Sequence, residues 1–200
     1  MIFLLILTIM LVSTTISKIV QVFTYPFYGY FKIKKGKHYS SAVWTPRIVR
    51  RCVRDEVKWL KFDANIINAR YGLGNDNDQI NKLFGYSLSL FESHHKNSIR
   101  IGWTFNPTTD KVDFYAYYYD GGLRFVEYLG NQEVDKYDNC SVSVEMCTTS
   151  GQHIVMFNDE VFAFNLLSKP SGKFGWILNP YFGGTQAAPH ELGFIIRQKS

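Results

Sequence analysis

The chain is poor in cysteine, in helical patterning and in nucleotide-binding signatures, and each shortage excludes something. Three cysteines in 200 residues, Cys52, Cys140 and Cys147, cannot build the disulfide framework of a small secreted module. None sits in a CxxC or Cys/His spacing that would hold zinc. Cys140 and Cys147 either pair in an oxidising compartment or stay as buried thiols, and burial is the common state of such residues. Beyond the first residues no apolar pattern of period 3.6 runs long enough for an amphipathic helix. Strand–helix–strand alternation is missing too, which argues against a parallel α/β fold. A Gly-rich phosphate loop, a dinucleotide fingerprint and a Gly-x-Ser-x-Gly elbow are all absent. That sets aside kinases, P-loop NTPases, Rossmann enzymes and α/β-hydrolases.

Positive charge is scarce where a polyanion-binding body would need it. The net charge is +5, but residues 1–61 carry 11 Lys and Arg against 2 Asp and Glu, and residues 62–200 carry 11 against 15. General attraction to polyanions therefore belongs to the N-terminal part, and an acidic ligand of the main body needs a local cationic site. Arg47, Arg50, Arg51 and Arg54 form a basic cluster. No helix-turn-helix, zinc-finger or RNP pattern accompanies it, so nucleic acid is not an expected partner.

Among the features present, the first is an uncharged N-terminus. Residues 1–17 carry no charge. As a helix they would span about 25 Å, slightly short of a bilayer core. This reads as a hydrophobic helix over 1–23, a signal peptide or signal-anchor, and makes the chain secreted or membrane-anchored. Residues 24–56 follow as a basic aromatic arm, with Lys32, Lys34, Lys35 and Lys37 set among Phe27, Tyr28, Tyr30 and Phe31. Such a mixture suits an interfacial belt or, equally, a strand with a solvated basic end.

Residues 57–200 read as one domain. A strand is expected over Val57 to Phe62, and short alternating runs recur from residue 84 to 197. Asp120-Gly121-Gly122 and Asn158-Asp159-Glu160 are hairpin turns by composition. The 16 Phe and 13 Tyr favour strands and supply a large core. Many short antiparallel strands imply an all-β fold, an antiparallel β-sandwich or jelly roll.

Two of these strands carry the chemistry. Ile99, Ile101, Trp103 and Phe105 share one face, while Ser98, Arg100, Gly102 and Thr104 share the other. Next, Val112, Phe114, Ala116 and Tyr118 oppose Asp113, Tyr115, Tyr117 and Tyr119. Period-two alternation thus gives each strand an apolar face and a face of Ser, Arg or Tyr. If Lys82 joins that second face, an ammonium, a guanidinium, a hydroxyl and phenols converge, a surface suited to an acidic sugar. The plainer alternatives are a cross-strand aromatic ladder, a surface Lys82, and an Arg100–Asp113 bridge. No metal is expected: His94-His95 lacks further ligands, and Asn75 to Asp78 lacks the EF-hand spacing.

In order along the chain, Lys82-Leu83-Phe84-Gly85, Ser98-Ile99-Arg100 with Trp103, Tyr115-Ala116-Tyr117 and Tyr181-Phe182-Gly183-Gly184 resemble the motifs of jelly-roll uronate-polysaccharide lyases of polysaccharide lyase family 14 and their concanavalin-like relatives. The likeness covers about residues 78–197. Phe84 replaces that family's proline, and His94-His95-Lys96 is an unusual connection. The resemblance implies β-elimination on a uronate-containing glycan, with Lys82, Tyr115 and Tyr117 as catalytic residues, Ser98 and Arg100 as substrate-binding residues, and no cofactor. Arg100 suits a carboxylate because guanidinium binds it bidentately. Base and acid are not separable within the set. The alternative is a lectin-like or partner-binding jelly roll that performs no chemistry. The partner is then an acidic polysaccharide, with a membrane as a second partner of residues 1–23.

Overall fold

The computed structural model describes residues 28–41, 48–50, 59–72, 79–168 and 174–199. The strands are β1 (Tyr28–Ile33), β2 (Ile48–Arg50), β3 (Leu60–Ile67), β4 (Asn81–Ser87), β5 (Ser98–Asn106), β6 (Lys111–Asp120), β7 (Leu123–Glu133), β8 (Asn139–Thr148), β9 (Gln152–Phe157), β10 (Glu160–Asn165), β11 (Phe174–Leu178) and β12 (Leu192–Lys199). Among the described residues a single 3-10 turn, at Ala69–Tyr71, interrupts them. They form two six-stranded sheets, β1-β12-β3-β8-β9-β10 and β2-β11-β4-β5-β6-β7. Every strand pairing is antiparallel.

Alternation explains the strands, and aromatic rings join the sheets. On β5 the expected face of Ile99, Ile101, Trp103 and Phe105 turns inward, as do Val112, Phe114, Ala116 and Tyr118 on β6. Ring pairs span the gap between sheets. Phe62 on β3 meets Phe84 on β4 at 4.6 Å, Phe114 on β6 meets Phe157 on β9 at 5.4 Å, and Trp103 on β5 meets Phe194 on β12 at 6.1 Å. All six are essentially fully buried. Each such side chain contributes about 1.5–3 kcal/mol relative to exposure, and tilted or edge-on ring pairs add to that.

The turns follow their composition. Gly121 and Gly122 have φ of 60° and 90°, and Asn158 and Asp159 have 50° and 63°. Two successive left-handed residues match the twist of the flanking strands in a two-residue hairpin. Both turns are those expected.

Several expectations are corrected. Within the stretch 24–56, the described strands β1 and β2 join the sheets. β1 pairs with β12 along its length, from Tyr28↔Arg197 to Ile33↔Leu192, and Phe31 and Ile33 enter the core. β2 pairs with β11. The basic residues Lys34, Lys35 and Lys37 lie exposed just past β1, the arrangement of a strand with a solvated end. The strand expected over 57–62 runs instead over Leu60–Ile67. Cys140 and Cys147 stand seven residues apart on β8, about 23 Å at a strand's rise, so they cannot bond to each other. Burial pushes the Cys140 thiol up to about 12. The hydrophobic helix expected over 1–23, Cys52 and the Asn75–Asp78 loop lie outside the described residues. Among the described residues no helix is long and apolar enough to cross a membrane.

Candidate functional site

Lys82 reaches the site through a defect in the alternation. Phe84 and Tyr86 on β4 point into the core, so strict period two would send Lys82 there as well. The β4–β5 register slips between Lys82 and Phe84: Lys82 faces Gly102, and Phe84 faces Ile101. Leu83 is the extra residue, and both Leu83 and Phe84 are buried in the core. A bulge of this kind re-aims a side chain, and here it turns Lys82 to the outer face of the sheet.

Arg100 and Tyr117 arrive on that face by ordinary alternation. They are directly paired across β5 and β6, and Tyr119 and Arg124 are paired across β6 and β7. Together with Tyr181, His94, His95 and Tyr39 they line an open groove of about 510 Å³. The Lys82 ammonium sits over the Tyr117 ring at 4.4 Å from its centroid, and 5.8 Å from that of Tyr181. The Tyr117 and Tyr119 hydroxyls hydrogen-bond at 3.3 Å. His95 lies edge-on to Tyr119, with ring centroids 5.1 Å apart.

Arg100 is 8% exposed. One terminal nitrogen donates to the Asn179 carbonyl, while its Nε is buried with no acceptor. A buried guanidinium donor without a partner is costly in isolation and well placed for an incoming anion. Burial lowers the Arg100 guanidinium to about 10, which leaves it charged at neutral pH. Burial, followed by Tyr119, raises the Tyr117 phenol well above its ordinary value. Tyr181 is raised for the same first reason. The His94 imidazole falls to about 4 through burial and the nearby charges of His95 and Arg100, so it is neutral at neutral pH.

The structure brings Lys82, Arg100 and Tyr117 together and leaves two expected residues aside. Ser98 is on the same face of β5 but is fully buried, its hydroxyl without a partner, and it does not line the groove. Tyr115 also stands outside it, packed edge-on to Tyr128 with centroids 5.7 Å apart. Ile80 lies across Gly102 in this stretch: a Cβ on Gly102 would meet Ile80 at 2.6 Å and the Cβ atoms of Tyr115 and Tyr117 at 3.5 Å. Arg100 does not bridge to Asp113, whose carboxylate accepts from Asn106 at 3.1 Å and Tyr128 at 3.5 Å.

Sequence reading missed Tyr39, Tyr119, Tyr181 and Arg124 as groove residues, and it marked His94-His95 only as an unusual connection at the cleft's rim. Tyr119 and Tyr181 had a signal, since one shares the alternating face of Tyr117 and the other opens the Tyr-Phe-Gly-Gly turn. Tyr39 and Arg124 had none. No group of three or more metal-binding side chains occurs among the described residues. A second hollow of similar volume lies on the other sheet. Its Asp63 and Glu145 are paired with Lys199 at 2.8 Å and Lys61 at 2.6 Å, and carboxylates line it where none lines the first.

No protein-family model matches the chain, and neither does any curated protein. Solved structures are similar to it. The alginate lyase vAL-1 from Chlorella virus aligns at a TM-score of 0.48 and 15% identity, over 86% of this chain and 83% of that one. A toad ovary galectin solved with thio-digalactose aligns at 0.37 and 9%, over 79% and 97%. The marine PL7 alginate lyase AlyA1 from Zobellia galactanivorans aligns at a TM-score of 0.52 and 8% identity, over 86% of this chain and 75% of that one. At that identity the likeness is one of architecture: the chain has the jelly-roll fold found in alginate lyases.

Proposed function

We propose that the groove binds a uronate-containing glycan and acts on it as a polysaccharide lyase. One observation carries this reading. Lys82, Arg100 and Arg124 converge with two histidines and four phenols, and no Asp or Glu is among the described residues that line the groove. A glycosidase of the common type needs two carboxylates flanking the bond, and these residues supply neither. A cationic, phenol-lined groove fits a sugar that brings its own carboxylate.

β-Elimination then uses the groups as follows. Arg100 neutralises the uronate carboxylate, which acidifies the neighbouring C5–H. A base takes that proton, the electrons form the C4=C5 double bond, and the C4–O bond to the leaving sugar breaks. Tyr117, held protonated by burial, delivers the proton that the departing oxygen requires. The base comes from Lys82 or His94, and the neutral His94 imidazole is in the state a base needs at neutral pH.

A second reading has its own observation. Ser98 and Tyr115 stand outside the groove, so the same surface would hold a glycan as a lectin does, without turnover. The protein should be incubated with alginate, glucuronan and other acidic glycans while absorbance is followed at the band of the unsaturated uronate. A rise that is lost in Tyr117→Phe supports the lyase. A flat trace with glycan retention supports the lectin. A flat trace with no retention overturns both.

A further inference from the structure

The groove does not end at its cationic centre. The loop after β1 is zipped onto the site through backbone bonds. Tyr39 bridges to Tyr181, and Tyr181 bridges to Lys82. The Lys82 amide donates to the Tyr181 carbonyl at 2.8 Å, the Tyr181 amide returns a bond to Lys82 at 2.9 Å, and the Phe182 amide donates to His38 at 2.8 Å. The side chains follow the same path. His38 stacks on Tyr181 with centroids 5.6 Å apart and an interplanar angle of 18°. Tyr39 meets Tyr181 edge-on at 5.1 Å. Tyr39 is 77% exposed while still lining the groove.

A tyrosine this exposed gains little from burial in the free protein, yet its backbone is bridged to Tyr181, which in turn bridges to Lys82. From the ammonium the path runs to the Tyr181 ring and on to Tyr39, each step comparable to one pyranose ring. The apolar C–H face of a sugar packs on the negative face of an aromatic ring, and the phenol remains free for its hydroxyls. Pre-fixing the ring lowers the ordering cost of such a contact.

Resting on the glycan reading above, we infer that Tyr39, supported by Tyr181 and His38, is a second sugar subsite, which makes the groove selective for oligosaccharides over single uronates.

The test measures calorimetric affinities of the full chain for glucuronate, mannuronate and their tetrasaccharides, in the wild type, Tyr39→Ala, Tyr39→Trp and Arg100→Met. The expected wild type binds a tetrasaccharide about tenfold or more above its monosaccharide. That ratio should collapse toward one in Tyr39→Ala and persist in Tyr39→Trp, while Arg100→Met weakens both ligands. A wild-type ratio near one, or a ratio that Tyr39→Ala leaves intact, overturns the subsite while the glycan reading stands. No binding of any of the four sugars by the wild type removes the glycan reading for these uronates and the subsite with it. Unchanged melting of Tyr39→Ala would confirm that a lost ratio reflects recognition.

Discussion

At the residue scale, the site holds groups that folding alone would not favour. Arg100 is buried, its charge is desolvated, and its Nε has no acceptor. Its stem nonetheless packs in the sheet, so Arg100→Met should keep the packing and remove the charge. The expected outcome is a melting temperature equal to or above the wild type, with glycan affinity lower by about 2 kcal/mol, near thirtyfold. Calorimetric titration beside thermal melting separates the two effects. A sharp loss of stability would instead make Arg100 a structural residue.

His94 yields a pH prediction with a definite sign. Its folded value lies near 4, below its ordinary 6.5, so protonation favours the unfolded chain. The protein should therefore lose stability from this group as pH falls from about 6.5 to about 4, and the loss should level off below that. In His94→Gln that component should vanish. The variant should gain on the wild type by about 1 kcal/mol at pH 4.5 and by nothing at pH 7.5, a figure discounted because the ring is partly exposed and solvent screens it. Denaturant melts of both proteins at the two pH values measure the difference, and the comparison cancels the carboxylates that titrate in the same range.

At the element scale, β4 is the strand on which the site depends. Its bulge buries Leu83 and Phe84 side by side and turns Lys82 outward. Farther along, Gly85 lies opposite Arg100. A Cβ there would stand 2.2 Å from the Ile99 carbonyl oxygen and 2.5 Å from the Arg100 Cα. Those atoms are backbone, so they cannot rotate away. Gly85→Ala should cost about 3 kcal/mol, at the upper end for overpacking, and should displace Arg100 from the groove. Equilibrium unfolding would show the first effect and glycan retention the second. A variant as stable as the wild type would mean that β4 and β5 separate more readily than their register implies.

Strand placement was largely legible in the sequence, because β5 and β6 alternate without interruption and their hairpin turns are composed for left-handed residues. The two-sided character of Arg100 and Tyr117 followed from the same alternation. Lys82 was not legible in that way. The run Leu83-Phe84 reads equally as a bulge or as an ordinary continuation, and only burial of both side chains in the core, Phe84 against Phe62, selects the bulge. Ser98 and Tyr115 share the predicted face, yet they do not line the groove. Period two fixes which side of a sheet a residue faces, and it is silent on what lies above that side.

At the scale of the whole molecule, two sheets are held by ring pairs between them, and an edge strand from the N-terminal stretch completes one sheet. β1 covers β12 and sends Phe31 and Ile33 into the core. A protein lacking residues 1–37 should therefore be less stable than one lacking residues 1–27, by about 3 kcal/mol or more for two buried apolar side chains. It should also associate through the uncovered edge of β12. Melting temperature and sedimentation of the two truncations decide this. Equal stability would show that β1 is dispensable to the sandwich.

The sequence by itself determined the fold class, because alternation, turn composition and aromatic content are local properties that every jelly-roll strand must satisfy. It also determined that Arg100 and Tyr117 share a face. Only the tertiary structure decided the rest of the groove. Tyr39, Tyr181, His94 and Arg124 come from loops and strands far apart in the chain, and a bulge aims Lys82 at them. Their convergence depends on sheet order, on register and on which side chains the core accepts, and these are set by packing between distant segments.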